Sequence, residues 1–290
     1  LKGIGGSDAG AIVGVNPWKS PYTLWCEKTG KITNDIDNEV MRQGRDLEQY
    51  VAERFCEETG KKVRRSGFSY QSKEHPFMLA NVDRLVIGES AGLECKTTNM
   101  LNKTDYENGD VPPSYYAQCQ HYMAVTGLKK WYIAVLALSK AFYWLEIERD
   151  EEYISNLIQY ESDFWQSVKT NQPPEIDGST STKETLNLQY GKADEDSCVN
   201  LMGCEDAANI LKDVKQKEKE LKKLKTKYEN EIKSVMGTGE KGLMDGYEFT
   251  WKNQIRNTLD STKLKKERPD IYDQYLKTRE LRIFKMKETR

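Results

Sequence analysis

A chain of 290 residues, 37% hydrophobic and 31% charged, is long enough to bury a real core as one large domain or as a domain with an appendage, and it holds no apolar run approaching the length of a membrane span. Its formal charge of −2 excludes a protein that grips nucleic acid over its whole surface, but leaves room for a local basic channel. Two histidines and six scattered cysteines, none in a C-x-x-C pair, argue against a zinc site and for free thiols in a reducing cytosol.

Nothing at the start resembles a secretory signal, and Leu as first residue points to a natural N-terminus upstream. Residues 3–14, Gly-Ile-Gly-Gly-Ser-Asp-Ala-Gly-Ala-Ile-Val-Gly, place Ser7 or Asp8 at the N-cap of a short apolar helix. Glycines ahead of a helix leave N–H groups open to an anion, to which Ser7 could add a hydroxyl donor; a plain cap explains the same residues. Asn16-Pro17-Trp18 then makes a turn. Ser20-Pro21 opens a helix to Lys28, with Gly30 just past its end. Over residues 37–59, Val40, Met41, Leu47, Val51, Ala52 and Phe55 recur at helical spacing and Gly60 closes the helix. Glu48 falls on its boundary face, as a surface glutamate unless a metal lies beside the helix. Residues 62–70 read as one strand with a basic stripe.

From 79 to 98, two β-prone runs flank a turn signal between Gly88 and Gly92, which gives two adjacent strands. Side chains two apart on a strand share a face, so Glu94 and Lys96 project together while Cys95 points to the other side. Asp83, eleven residues before Glu94, reaches the same place from the neighbouring strand. Two carboxylates that can hold Mg²⁺, with an ammonium to offset negative charge, are what hydrolysis of a phosphodiester needs. A solvated strand face with a cross-strand ion pair would use the same three residues, and their spacing alone does not decide between the two.

A polar loop spans 99–110, followed by a helix from Tyr115 to Thr126 that Gly127 ends. On it, Gln118 sits one turn from both Tyr115 and Tyr122, an aromatic face where an amide needs a partner. Strands from Trp131 to Leu138 and Ala141 to Ile147 and a helix from Asp150 to about Thr170 complete an α/β core with a mixed sheet, since the hairpins require antiparallel pairs. The expected organisation is a core over 1–171, a linker or extended crossing segment rich in Pro, Ser, Thr, Gly and Asp over 172–199, and an α+β appendage over 200–290. The appendage begins with a charged helix from Cys204 to Met236, whose stripe of Leu211, Val214, Leu221, Leu224, Tyr228, Ile232 and Val235 includes a seven-residue series at 214, 221, 228 and 235. Its lysines alternate with glutamates, which favours coiled-coil packing, within or between chains, over direct DNA contact. A hairpin turning at Asp245-Gly246, helical sequence over Ser261 to Leu276 broken at Pro269, and a strand from Leu281 to Lys287 follow.

Taken together, Gly-Ile-Gly-Gly-Ser-Asp, Asn-Pro-Trp, Gly-Arg-Asp-Leu-Glu, Asn-Val-Asp, Leu-Glu-Cys-Lys and Tyr-Tyr-Ala-Gln-Cys-Gln, in that order over residues 3–170, resemble the YqaJ-type viral recombinase family, relatives of the phage lambda exonuclease within the PD-(D/E)XK nuclease superfamily. The resemblance implies a restriction-endonuclease-like α/β (α+β) core, a central mixed β-sheet flanked by helices, with the long helix and hairpin appended. It makes Asp83 and Glu94 metal-binding carboxylates, the backbone carbonyl of Cys95 a further ligand, and Glu48 an acidic contribution from the N-terminal helix. Lys96 would activate water or stabilise the transition state, Gln118 would support the reacting phosphate or nucleophile, and Ser7 and Asn81 would lie near DNA phosphates. The cofactor would be Mg²⁺, two ions per site, with Mn²⁺ able to substitute.

The function so implied is a phage or prophage exonuclease in a bacterial host cytoplasm that digests linear duplex DNA 5′ to 3′ and leaves a 3′ strand for a phage single-strand annealing protein. Relatives form trimeric rings, and a ring-shaped homo-oligomer would retain DNA topologically despite the modest net charge. An endonuclease or repair nuclease on the same scaffold, or a catalytically silent protein that binds DNA ends, are the competing readings. Two departures stand out. An arginine that in the family precedes the glycine-rich start and helps hold the 5′-phosphate would fall before Leu1, leaving only Lys2 nearby, and the family-name proline is Val82.

Overall fold

The computed structural model describes residues 3–33, 38–98, 106 and 109–287. The chain divides into two compact units, 1–191 and 192–290. Among the described residues no helix is long and apolar enough to cross a membrane.

The first unit opens with a short strand, β1 (Ile4–Gly5), that runs directly into α1 (Gly6–Ile12). This helix starts earlier than expected: Gly5 is the N-cap, and Ser7 and Asp8 lie in the first turn. The Asp8 carboxylate accepts the Gly5 N–H at 2.9 Å and binds Lys28 Nζ at 2.6 Å, so it secures the turn from inside. No side chain fits at Gly6, where a Cβ would stand 2.4 Å from the Tyr122 ring. Ser20 caps α2 (Pro21–Lys28) and Asn38 caps α3 (Glu39–Thr59), each accepting the N–H three residues on; Gly60, at φ 71°, ends α3.

The residues expected to form one basic strand form two, β2 (Val63–Arg65) and β3 (Ser69–Gln71), because Gly67 at φ 69° turns the chain between sheets. β3 pairs with β4 (Met78–Asn81), which also takes β1 in parallel. β2 pairs with β5 (Arg84–Val86), and β5 pairs in turn with β6 (Ala91–Thr98). The chain then crosses through α4 (Pro113–Thr126), as a parallel neighbour requires, to β7 (Lys130–Ala137), and returns antiparallel as β8 (Ala141–Glu148). The result is a mixed five-stranded sheet in the order β2-β5-β6-β7-β8. Most of the polar loop expected over 99–110 lies outside the described residues.

The period-2 alternation of β7 separates two cores. Trp131, Ile133 and Val135 face Tyr122 and Met123 of α4, while Tyr132 and Ala134 face Val51, Ala52 and Phe55 of α3. Gly92, opposite Trp131 in register, leaves room for the indole: a Cβ there would stand 2.4 Å from it. Residues 117–123 are all buried because α4 lies between α1 and the sheet. Asp150 caps α5 (Glu151–Thr170), which supplies Ile154 and Phe164 to the core.

The segment expected as a linker over 172–199 instead carries a helix, α6 (Thr180–Gln189), capped by Ser179 and packed on α2. Thr182 Oγ1 meets Ser20 Oγ at 2.8 Å and Thr185 Oγ1 meets Thr23 Oγ1 at 2.8 Å, all four residues buried. Hydroxyls that read as linker composition are here a self-satisfied polar interface.

The second unit holds α7 (Glu205–Met236), the hairpin of β9 (Lys241–Met244) and β10 (Tyr247–Thr250), and α8 (Ser261–Glu267) and α9 (Pro269–Tyr275), separated where Pro269 starts a new helix. The strand expected from Leu281 to Lys287 does not form. Among the described residues this unit's one ladder is β9–β10, and a strand without a neighbour leaves its N–H and C=O groups unpaired.

Candidate active site

Asp83 stands between β4 and β5. One register step beyond the Arg84–Leu93 pair sets it across from Glu94 on β6. Its Oδ2 accepts the Cys95 N–H at 2.8 Å. Glu94 is only 4% exposed and projects toward α4. Its Oε1 receives Lys96 Nζ at 2.7 Å and Gln118 Nε2 at 2.7 Å, while its Oε2 is buried with no hydrogen-bond partner. Gln118 also donates to Tyr122 OH at 2.9 Å and accepts from Lys96 Nζ at 3.0 Å. The amide on an aromatic face thus has its partners, and Lys96 is fixed from three sides, with the Tyr115 ring 4.9 Å from its Nζ.

The electrostatics mark a site short of positive charge. Burial first, then the Glu94 carboxylate and to a lesser degree Glu48, push the Asp83 pKa up to about 7, against the opposing pull of the Cys95 N–H and Lys96. Lys96 moves the other way from what burial alone would give. Desolvation works against its ammonium, but the charge and hydrogen bond of Glu94, with Tyr115 and Asp83 behind, hold its pKa above the usual lysine value. The Cys95 thiol, pushed up by burial and by Asp83, packs on the opposite face toward α3, so only its backbone is on the Glu94 side of the question.

Glu48 comes from α3, one turn before the Val51–Ala52 contact with the sheet. Its carboxylate is bonded to Arg84 Nη1, and Arg84, 2% exposed, also donates to the Asp83 carbonyl at 2.7 Å and to Gln49 Oε1 at 3.1 Å. Arg84 therefore clamps Glu48 to the backbone of Asp83. Sequence reading passed over it; the available signal was a cation inside a β-prone run next to an acid, a charge that burial obliges to find a partner. Ser7 is exposed and lines a cleft of about 310 Å³ together with Asn16, Trp18, Lys96, Tyr115 and Gln118. Asn81 ends β4 opposite Ser69 with its side chain exposed, and does not line that cleft.

Among the described residues no three of His, Cys, Asp and Glu stand together as a ready-made metal cage. The donors present nevertheless suit a hard cation. Mg²⁺ is commonly held by one or two carboxylates, with water and substrate phosphate completing its shell. Here a buried, unpartnered Glu94 oxygen lies beside an Asp83 whose ionised form is destabilised by its neighbours. A divalent cation would satisfy both.

The helix-flanked mixed sheet, crossed by α4 and carrying Asp83, Glu94 and Lys96 at one place, defines a restriction-endonuclease-like fold of the alkaline exonuclease type. The alkaline exonuclease LHK-Exo from Laribacter hongkongensis superposes with a TM-score of 0.50 at 22% identity, over 59% of this chain and 90% of that one. The same protein in complex with dAMP gives 0.52 at 23%, with the same coverage. Residues 1–129 match the YqaJ-like viral recombinase domain. Over 293 aligned residues the chain is 39% identical to the uncharacterized protein YqaJ of Bacillus subtilis (strain 168), covering 99% of this chain and 92% of that protein. The chain belongs to the YqaJ family.

Proposed function

We propose that this protein is a metal-dependent exonuclease that digests linear double-stranded DNA 5′ to 3′, acting in a bacterial host cytoplasm as a homo-oligomer, a trimeric ring, and leaving a 3′ strand for a phage single-strand annealing protein. The observation that carries this reading is the cluster in which Lys96 and Gln118, both lining the cleft, are bonded to Glu94 beside Asp83, with one Glu94 oxygen buried and unpartnered. Membership of a viral recombinase family and the alkaline exonuclease fold support it.

Asp83, Glu94 and the Cys95 backbone carbonyl would hold Mg²⁺ or Mn²⁺, two ions with Glu48 contributing. When bound, the metal lowers the pKa of a water and offsets charge on the phosphate oxygens. The Lys96 ammonium, fixed by Glu94 and Gln118, is aimed into the cleft and stabilises negative charge as it grows on the reacting phosphate. Gln118 ties Glu94 and Lys96 together, so that neither has to reorganise during the reaction. Ser7 offers a hydroxyl to a phosphate entering the same cleft, and Asn81 lies two residues before Asp83 to meet the strand further out.

Incubation with Mg²⁺ or Mn²⁺ and either linear or covalently closed duplex tests the reading, with each strand end-labelled in turn. Nucleotides should be released from linear DNA alone, with loss of the 5′ label first and survival of the 3′-ended strand. Nicking of closed circles would favour an endonuclease instead, and no hydrolysis in either metal would leave an end-binding protein.

A further inference from the structure

Nothing in the chemistry above uses the Asn16-Pro17-Trp18 turn. Trp18 is 85% exposed, more than any other large hydrophobic side chain among the described residues of the first unit. A wet indole on a frayed segment would mean little, but this turn is held from several directions. Asn16 Oδ1 accepts the N–H of Trp18 at 2.8 Å and of Lys19 at 3.1 Å. The N–H groups of Val15 and Asn16 both donate to the Gly10 carbonyl at 2.9 Å, and Lys19 is paired with Glu27 at 2.7 Å. Pro17 fixes the backbone between these anchors. The fold therefore holds the backbone that carries an exposed aromatic ring in one place.

That place is the edge of the active-site cleft, whose lining includes Ser7, Lys96, Tyr115 and Gln118. The Tyr115 ring is already engaged by Lys96. Among the described residues no ring or cation packs on the Trp18 indole. We infer that Trp18 is a stacking platform for a nucleobase of the DNA strand whose phosphate lies over Lys96, an assignment that rests on the nuclease reading. A phosphate bound over the lysine carries a base one sugar away, and every base has a flat π-face to offer. Stacking of this kind tolerates any sequence, as digestion of arbitrary DNA demands.

The test uses the full chain, Mg²⁺ and a 5′-phosphorylated duplex closed by a hairpin at its far end. Single abasic sites are placed in turn at the first three positions of each strand. Trp18→Ala should raise KM about five- to a hundred-fold, with a much smaller fall in the single-turnover rate at saturating DNA, and Trp18→Phe should recover most of the loss. At one position, an abasic site should weaken the wild type by the same factor and weaken Trp18→Ala no further. Absence of such coupling at every position would overturn the assignment. So would a change in solution mass in Trp18→Ala, which would make the indole a contact between copies of this chain. Should the wild type cleave no DNA, the nuclease reading falls by itself; equilibrium binding of the same oligonucleotides then reads the stacking, with the same coupling expected.

Discussion

The helices of the two units differ in what they cover. α3, α4 and α5, of 21, 14 and 20 residues, each bury residues of their apolar face, whereas α7, with 32 residues the longest helix described, buries none. The periodicity that announces α3 and α5 is equally plain in α7. What differs is the surface opposite: a five-stranded sheet lies under α3 and α4, while the α7 stripe keeps Leu221 64% and Tyr228 52% exposed. A helical stripe in a sequence reports a demand for an apolar partner and not that partner's address. The comparison sets the Asp83–Glu94–Lys96 cluster in the first unit against an uncovered apolar stripe in the second, and four experiments can break or sharpen the proposal that the one carries chemistry and the other a contact.

The largest effect belongs to the carboxylates. If the proposed metal site is right, Asp83→Ala and Glu94→Ala should each lower Mg²⁺-dependent hydrolysis by roughly three orders of magnitude or more while folding survives. Nuclease rates and thermal melts, taken on the same samples, check this. Full activity in either variant would remove the site from the first unit.

Lys96→Ala comes next. It should slow single-turnover hydrolysis at saturating DNA by roughly two to four orders of magnitude, the range for losing one positioned electrostatic group, and leave metal affinity close to that of the parent. If only DNA affinity changes, Lys96 is a simple phosphate contact and its bonds to Glu94 and Gln118 have another purpose.

A smaller effect concerns what holds the site's framework. His121 on α4 meets Glu161 Oε1 of α5 through Nδ1 at 2.7 Å and the Leu79 carbonyl of β4 through Nε2 at 2.9 Å, with both side chains fully buried. Each partner is an acceptor, so the doubly protonated ring satisfies both. Burial opposes that charge, but Glu161, the Leu79 carbonyl and Asp8 outweigh it and raise the His121 pKa above its ordinary 6.5. A raised pKa means that the pair's stabilisation is fully present below about pH 6.5 and disappears as pH climbs through the higher folded value. The melting temperature should therefore fall as pH rises over that alkaline interval. His121→Gln should lack that part of the slope; since Asp83 adds the same dependence to both proteins, their difference isolates the histidine. Parallel curves would mean that the ring is neutral in the fold.

These residues also show what sequence reading reaches. Local signals carried far: Ser20-Pro21, Gly60, Gly127 and Asp245-Gly246 each mark a boundary that the backbone uses, because caps and turns depend on a few neighbouring residues. The spacing of Asp83, Glu94 and Lys96 was legible, and so was the need of Gln118 for a partner, since strand and helix periods fix which side chains share a face. The clamp of Arg84 on Glu48, the His121–Glu161 pair and the lone Glu94 Oε2 were not, as each exists only where elements distant in sequence meet. α6 was hidden by its threonines, which resemble linker composition until Ser20 and Thr23 are set against them. Residues 281–287 failed in the opposite sense: among the described residues their β-prone sequence has no strand beside it.

The smallest expected change in hydrolysis, and the sharpest test of the contrast between the units, comes from replacing Leu221 and Tyr228 of α7 with Glu. Both side chains are more than half exposed, so the substitutions remove little buried contact, and stability should shift by no more than about 0.5 kcal/mol. The rate on short duplexes should stay within about twofold, because α7 carries none of the residues that meet at the cleft. Solution mass or binding of the annealing protein should instead fall, since a charge placed in an apolar seam must be desolvated without a partner whenever the seam closes. Light scattering, a pull-down with the annealing protein and short-duplex kinetics on one preparation separate the outcomes. Loss of assembly or docking with the rate preserved would tie the stripe to another molecule. Unfolding of the variant would show that the stripe is covered within its own chain, and a variant that remains folded, assembled and able to dock would leave the exposed face of α7 with no part in either.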